Sequence, residues 1–303
     1  MSDDSIICCC ASCGIAEIDD IKLVPCDGCD LVKYCSDECQ RDHKSEHEDA
    51  CKKRAAELHD ELLFKQPKST YLGDCPICSV PLSLDLSKSG MYQCCSKVIC
   101  RGCSFANKKR QVEMRIQQTC PFCREAMPET YEEAMKLSMK RIEANDPVAI
   151  RKEGSEQYNK GAHNSAFEYY LRAAELGDAE AQLKLARMYF NSTGVEKDEG
   201  KAIYHLEEAA IGGHPEARFN LGCHEWRNKN NAERAAKHWI IAASQGDDDA
   251  IKALMDAFKE GYVEKDILAA ALRAHKAAVD ATKSPERDEA EDYYSYQKKN
   301  NLC

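Results

Sequence analysis

Sixteen side chains fall at spacings that let them share metal ions. The first eight form the pairs Cys10-x2-Cys13, Cys26-x2-Cys29, Cys35-x3-Cys39 and His47-x3-Cys51. The other eight run Cys75-x2-Cys78, Cys94-Cys95, Cys100-x2-Cys103 and Cys120-x2-Cys123. Thiolate and imidazole are the donors a tetrahedral zinc ion takes, and such short spacings let two of them reach one centre. Each set supplies enough donors for two ions, so four structural zinc ions are expected. Binding each one contributes folding free energy on the order of 10 kcal/mol. Neither cysteine-rich segment is long enough to build a core that would replace it.

Composition favours metal over disulfides. Of 19 cysteines, only Cys223 and Cys303 follow residue 123. The start, Met1-Ser2-Asp3-Asp4, is acidic and leads into no long apolar stretch, so a secretory signal is not expected. Reduced thiols then point to the cytoplasm or nucleus, and the odd cysteine count argues the same way. No run approaches the ~18 apolar residues of a membrane span. Net charge is -10, unevenly spread. Residues 71–128 carry eight Lys/Arg against four Asp/Glu, whereas residues 1–70 carry nine against sixteen. That basic footprint is too weak for a nucleic-acid binder.

The elements that position these donors can be read coarsely. The stretch Cys39–Cys51 reads as helical, which puts His47 and Cys51 on one face. His43 shares that face and competes for the same role, while Cys8 and Cys9 are spare. Residues 54–66 read as a helical connector broken by Pro67, and a second helix from about Glu129 ends at Asn145-Asp146-Pro147. The expected order is a zinc finger at 8–51, a connector at 52–70 and a second finger at 71–128. A connector at 129–145, a helical repeat region at 146–283 and a charged tail at 284–303 follow. The tail either extends the last helix or stays disordered. The fold class is thus multidomain: two small zinc-stabilised fingers with little regular structure, then an all-α solenoid.

The first ligand string, with Tyr34-Cys35-Ser36-Asp37-Glu38-Cys39-Gln40, resembles the MYND zinc finger. The resemblance implies that Cys10, Cys13, Cys35 and Cys39 hold one ion. Cys26, Cys29, His47 and Cys51 hold the other. It also implies a groove for proline-containing peptides served by a Gln and a Trp; Gln40 stands at the first position, but Lys44 at the second.

The second string opens on Cys-Pro-Ile-Cys and closes on Cys-Pro-Phe-Cys-Arg, and resembles a RING finger. That family interleaves its pairs, which implies Cys75, Cys78, Cys100 and Cys103 at one ion. Cys94, Cys95, Cys120 and Cys123 would hold the second. Many RING fingers have a His where Lys97 stands, and the adjacent Cys94 restores the count in an all-cysteine variant. The resemblance further implies recruitment of a ubiquitin-conjugating enzyme through Ile77 and Pro121. Arg124 would hold the ubiquitin thioester in a reactive geometry, which is catalysis by positioning. The aromatic that often follows the sixth ligand is absent, and Phe105 is the nearest substitute. Lys97, Arg101 and Arg124 also read as local compensation for thiolate charge.

Paired alanines recur with their first member at 173, 209, 242 and 277, each with another Ala seven residues upstream, at 166, 202, 235 and 270. A period near 34 with two helices per unit is an α-solenoid. The loop Gly194-Val195-Glu196-Lys197-Asp198 resembles that of Sel-one-like repeats, relatives of the tetratricopeptide repeat, which present grooves to proteins. The aromatics Tyr169, Tyr170, Tyr189, Tyr204, Trp226 and Trp239 read as inter-helix packing. The combined reading is a zinc-dependent protein-interaction protein acting as a ubiquitin ligase, with ubiquitin, its conjugating enzyme and a substrate as partners. The alternative is an adaptor without enzymatic activity.

Overall fold

The computed structural model of the chain describes residues 9–17, 21–227 and 231–299. Cys8 and Cys303, noted above, lie outside them. The chain divides into two compact units, residues 1–65 and 66–303.

In the first unit, β1 (Val24–Pro25) pairs antiparallel with β2 (Lys33–Tyr34), and α1 (Asp37–Asp42) and α2 (Lys44–Leu63) follow. Ser36 caps α1 by accepting the Cys39 amide at 3.3 Å. The buried centre consists of Cys10, Leu23 and Tyr34, flanked by Cys26, Cys35 and Cys39. Four of the nine residues in this small cluster, which also takes in Ala11, Ile21 and Val32, are therefore metal-ligand cysteines. One helix, α2, runs through residue 51, so the last two ligands and the connector share a single backbone.

The second unit begins with a 3-10 turn (Leu86–Lys88), then β3 (Ser89–Met91) antiparallel to β4 (Val98–Cys100), then α3 (Arg101–Glu113). After α4 (Tyr131–Glu143) come four consecutive helix pairs. They are α5 (Pro147–Asn159) with α6 (His163–Glu175), α7 (Ala179–Asn191) with α8 (Glu199–Ile211), α9 (Pro215–Arg227) with α10 (Ala232–Ser244), and α11 (Asp248–Lys259) with α12 (Lys265–Ala281). Over its described residues the expected tail is not an extension of α12 but a separate helix, α13 (Pro285–Lys299).

The repeat chemistry is visible at each junction. Gly177, Gly213 and Gly246 adopt φ of 86°, 81° and 92°, the left-handed conformation that ends a helix without a side-chain penalty. Asp178 and Asp247 then cap the next helices, each accepting an amide at 2.8 Å. His214 takes that place at the third junction and meets Glu180 at 2.9 Å. Ala166, Ala173, Ala202, Ala209, Ala235 and Ala242 are all fully buried, as their spacing required. The fourth unit departs from the pattern. Ala270 and Ala277 are exposed, and Ala271 is buried instead. A one-residue shift turns a helix face by about 100°, and α12, last of the pairs, packs under no following repeat that would hold the earlier register.

The aromatics are mostly packing groups. Trp239 is buried with its indole N–H donating to the Phe219 carbonyl at 3.3 Å, and Trp226 lies between Trp239 and Tyr262. The segment before the second finger is docked on the repeats. Tyr71 stacks on His214 at 4.0 Å, its amide donates to Gly213 at 3.0 Å, and Gln245 donates to the Ser69 and Gly213 carbonyls.

Gly222 of α9 provides a test of repeat packing. A Cβ there would sit 2.6 Å from Cδ1 and 2.9 Å from Cε2 of the buried Trp239 ring. Gly222→Ala should destabilise the second unit by about 1–3 kcal/mol, measured as a lowered thermal midpoint with native helical content kept at low temperature.

Candidate metal centres and the groove they build

All sixteen donors gather into the four quartets expected from the two resemblances, the ligand atoms of each lying within 4.8 Å of one another. Contacts within the quartets are Cys13–Cys35 at 3.5 Å, Cys35–Cys39 at 3.6 Å, Cys26–Cys51 at 3.7 Å, and both Cys78–Cys100 and Cys95–Cys120 at 3.9 Å. Zinc–sulfur bonds near 2.3 Å in a tetrahedron imply sulfur separations of about 3.8 Å. The sulfurs therefore stand near the corners of a zinc tetrahedron, with these separations as its edges. The mixed site brings His47 Nε2 to 3.1 Å from Cys29 Sγ.

His43 is not a ligand. Its Nδ1 meets the Tyr34 hydroxyl at 3.1 Å, and its ring stacks on His47. The residue sits at the α1–α2 break and fixes the orientation of the true donor. Cys9 forms a β-bridge with Ala16 and belongs to no quartet.

One backbone device recurs under three of these centres. At Cys10, Cys75 and Cys120 the amide donates to the carbonyl five residues on, and the amide four residues on donates back to the cysteine carbonyl. The fourth residue after each cysteine is left-handed: Gly14 (φ 74°), Ser79 (φ 55°) and Arg124 (φ 66°). The same turn appears at Tyr92, closed by Lys97 and with Ser96 at φ 55°. Here Tyr92 fills the place of the first cysteine and Cys95 that of the second. Cys94 supplies the missing sulfur from the intervening position. This is how adjacent cysteines both reach one ion.

The thiols behave as crowded like charges. Cys75 is drawn down to about 4, chiefly by its contact with Cys100. Burial opposes ionisation of Cys10, yet amides of Cys13, Cys35 and Ser12 bring it to about 6. Their neighbours go the other way. Cys35 is pushed up to about 12 by Cys13 and Cys39, and burial raises Cys103 to about 12 and Cys51 and Cys95 to about 11. Within a quartet, then, some thiols are drawn down while burial and neighbouring sulfurs push others up. Only a cation at the centre lets all four ionise together.

The second finger also builds a groove of roughly 400 Å³. Ile77 and Pro121 line it, with Ala106, Arg110 and Arg124. Helix α3 pins the far wall: Asn107 donates to the Thr119 carbonyl at 3.0 Å, and Gln111 donates to the Thr119 hydroxyl at 2.9 Å and accepts its amide at 3.2 Å. Phe105 does not substitute for the missing aromatic. It faces away, packed against Tyr293 at 4.7 Å. Arg101 likewise turns toward α13, over the Tyr294 ring, while Lys97 lies over Phe122. Among the described residues, the cation that touches a donor sulfur is Arg287, 3.6 Å from Cys78 and 209 residues away in sequence. No spacing signal could have linked the two.

In the first finger a groove lies along α1 and α2, lined by Tyr34, Gln40, Arg41, Lys44 and Glu48 among others. Gln40 is held there, donating to Asp27 at 3.3 Å.

Purified chain should contain four zinc ions by elemental analysis. Cys94→Ser and Cys95→Ser should each reduce this to three, and Cys9→Ser should leave four. The raised thiols carry protons at neutral pH in the metal-free chain, so zinc loading should release protons, seen with an indicator in weak buffer. Retention should then fall as pH is lowered, because protons compete for the same sulfurs.

Comparison with known proteins agrees with this geometry. Residues 10–51 match the MYND finger family, and residues 160–178, 179–214 and 215–247 match the Sel1 repeat. The chain is similar to chitin synthase regulatory factor 4 of Schizosaccharomyces pombe, 37% identical over 87 residues, or 28% of this chain and 14% of that protein. It is also similar to putative RING finger protein ORF96 of Ostreid herpesvirus 1, 36% identical over 53 residues, or 18% of this chain and 22% of that protein. Both matches thus span less than a quarter of the relative. A crystallised Sel1 repeat protein from Oxalobacter formigenes is 25% identical with a TM-score of 0.42, over 52% of this chain and 65% of that one. The chain carries a MYND finger, cysteine centres consistent with a RING-like finger, and a helical solenoid of Sel1 repeats.

Proposed function

We propose that the protein is a RING-type ubiquitin ligase whose repeats and first finger hold the substrate. The observation that carries this reading is the groove beside the second finger. Ile77 is 44% exposed although apolar, and it shares the groove with Pro121. An exposed isoleucine beside a half-buried proline on a metal-stapled frame suits a partner's apolar loop. Arg124 lies at the same groove, its backbone held left-handed by the turn that presents Cys120 and Cys123. A guanidinium so fixed can bridge two partner surfaces and restrict a flexible thioester to reactive geometry. This chain needs no nucleophile for that chemistry.

The same reading places the protein in a reducing compartment, cytoplasm or nucleus, where the metal-ligand thiols persist. Among the described residues, no helix is long and apolar enough to cross a membrane.

A second reading is favoured by Ala106. It stands in the groove where a large aromatic would enlarge the docking face, and Phe105 is committed elsewhere. On that basis the protein is an adaptor that joins partners without transferring ubiquitin.

Reconstitution with a broad panel of conjugating enzymes separates the two. Ligase function predicts autoubiquitination that drops about tenfold or more in Arg124→Ala, and similarly in Ile77→Ala, with zinc content unchanged. Silence across the whole panel would leave the adaptor reading standing.

A further inference from the structure

The fork of Arg287 is spent almost entirely on the second finger. One terminal nitrogen donates to the Val80 carbonyl at 2.9 Å and approaches Cys78 Sγ at 3.6 Å. The other donates to the Pro81 carbonyl and to the Thr282 carbonyl, both at 2.6 Å. Its Nε is buried without an acceptor among the described residues. A guanidinium that leaves one donor unsatisfied while directing three of its four remaining contacts onto a single turn has its place set by that turn. The turn in question is the one that presents Cys75 and Cys78.

Cys78 is the exposed sulfur of its quartet; Cys75 and Cys100 are buried. A four-thiolate zinc centre carries a net charge of −2, and its exposed sulfur is where protons, oxidants and chelators attack first. Hydrogen bonding from a cation lowers the basicity of such a sulfur and disfavours its departure from the metal.

The rest of α13 is built to deliver that side chain. The Arg287 amide donates to Ser284 in the first turn. A Cβ at Gly102 would lie 2.9 Å from the Arg287 nitrogen, so only glycine lets α3 approach this closely. Further along, Tyr293 packs on Phe105, Lys109 pairs with Glu289 at 2.8 Å, and Ala290 is fully buried.

We propose that Arg287 is a positioning residue for the first metal centre of the second finger, and that through this one side chain, not through its packing as a whole, the carboxy-terminal helix governs how firmly that centre keeps its zinc. This inference is independent of ubiquitin transfer. It makes the finger a composite, with four ligands from residues 75–103 and an outer-shell donor from beyond the repeats.

The test is zinc release from the full-length chain into excess chromogenic chelator. In Arg287→Ala one of four ions should leave about tenfold faster, with the other three unchanged. Arg287→Lys, which keeps charge but loses the fork, should fall between. Lys109→Ala loosens the same helix without touching sulfur and should match the parent. In the cobalt-substituted protein, Arg287→Ala should shift the sulfur-to-cobalt charge-transfer band of one site. Unchanged release and an unchanged band in Arg287→Ala would overturn the proposal. So would equal acceleration in Lys109→Ala, which would assign the effect to helix packing alone. Should Arg287→Ala fail to fold, Arg287→Lys decides by the same criteria.

Discussion

Sulfur crowding around four points is the constraint on which this molecule rests. Bringing four thiols within 4.8 Å is unfavourable for the protein alone, because burial and like charge both oppose ionising them together. Zinc reverses the sign of that interaction. With every thiolate and ion counted, the four centres add about seven negative charges to a chain already at -10. The fingers therefore live with excess negative charge, and nearby amides and cations matter to them more than they would to a hydrophobic core.

The recurrent turn at Cys10, Tyr92, Cys75 and Cys120 shows how the backbone meets this demand. It turns amides toward the sulfurs and pushes one residue into the left-handed region each time. Glycine fills that place once. Ser79, Ser96 and Arg124 accept the strain instead. At Arg124 the strained residue is also the one whose side chain reaches the groove, so metal geometry and side-chain placement are a single feature there.

The repeats and the second finger are likewise joined physically. Tyr71 and Ser69 lie on the Gly213–His214 junction, and α13 returns to lie along α3. The finger is thus gripped from the segment that precedes it and from the helix that follows the repeats. A finger gripped at both ends is held against the solenoid from two sides.

Much was legible without coordinates. Donor types at x2 and x3 spacing announced the metal, because chelation by a short loop is a local property. Alanines seven residues apart marked buried helix faces in three units, because helix periodicity is local too. Where the register shifted, at Ala271 in place of Ala270, the cause was the absence of a following repeat, which no local pattern records. His43 and His47 share a helix face; the family resemblance pointed to His47, and the Tyr34 hydroxyl shows what His43 does instead. Phe105 and Arg101 turned toward α13, and Arg287 reached Cys78, because a helix more than 180 residues downstream folds back against α3. Spacing determines which residues can share an ion; contacts between distant segments decide which surfaces stay open and which cation stands beside the sulfur.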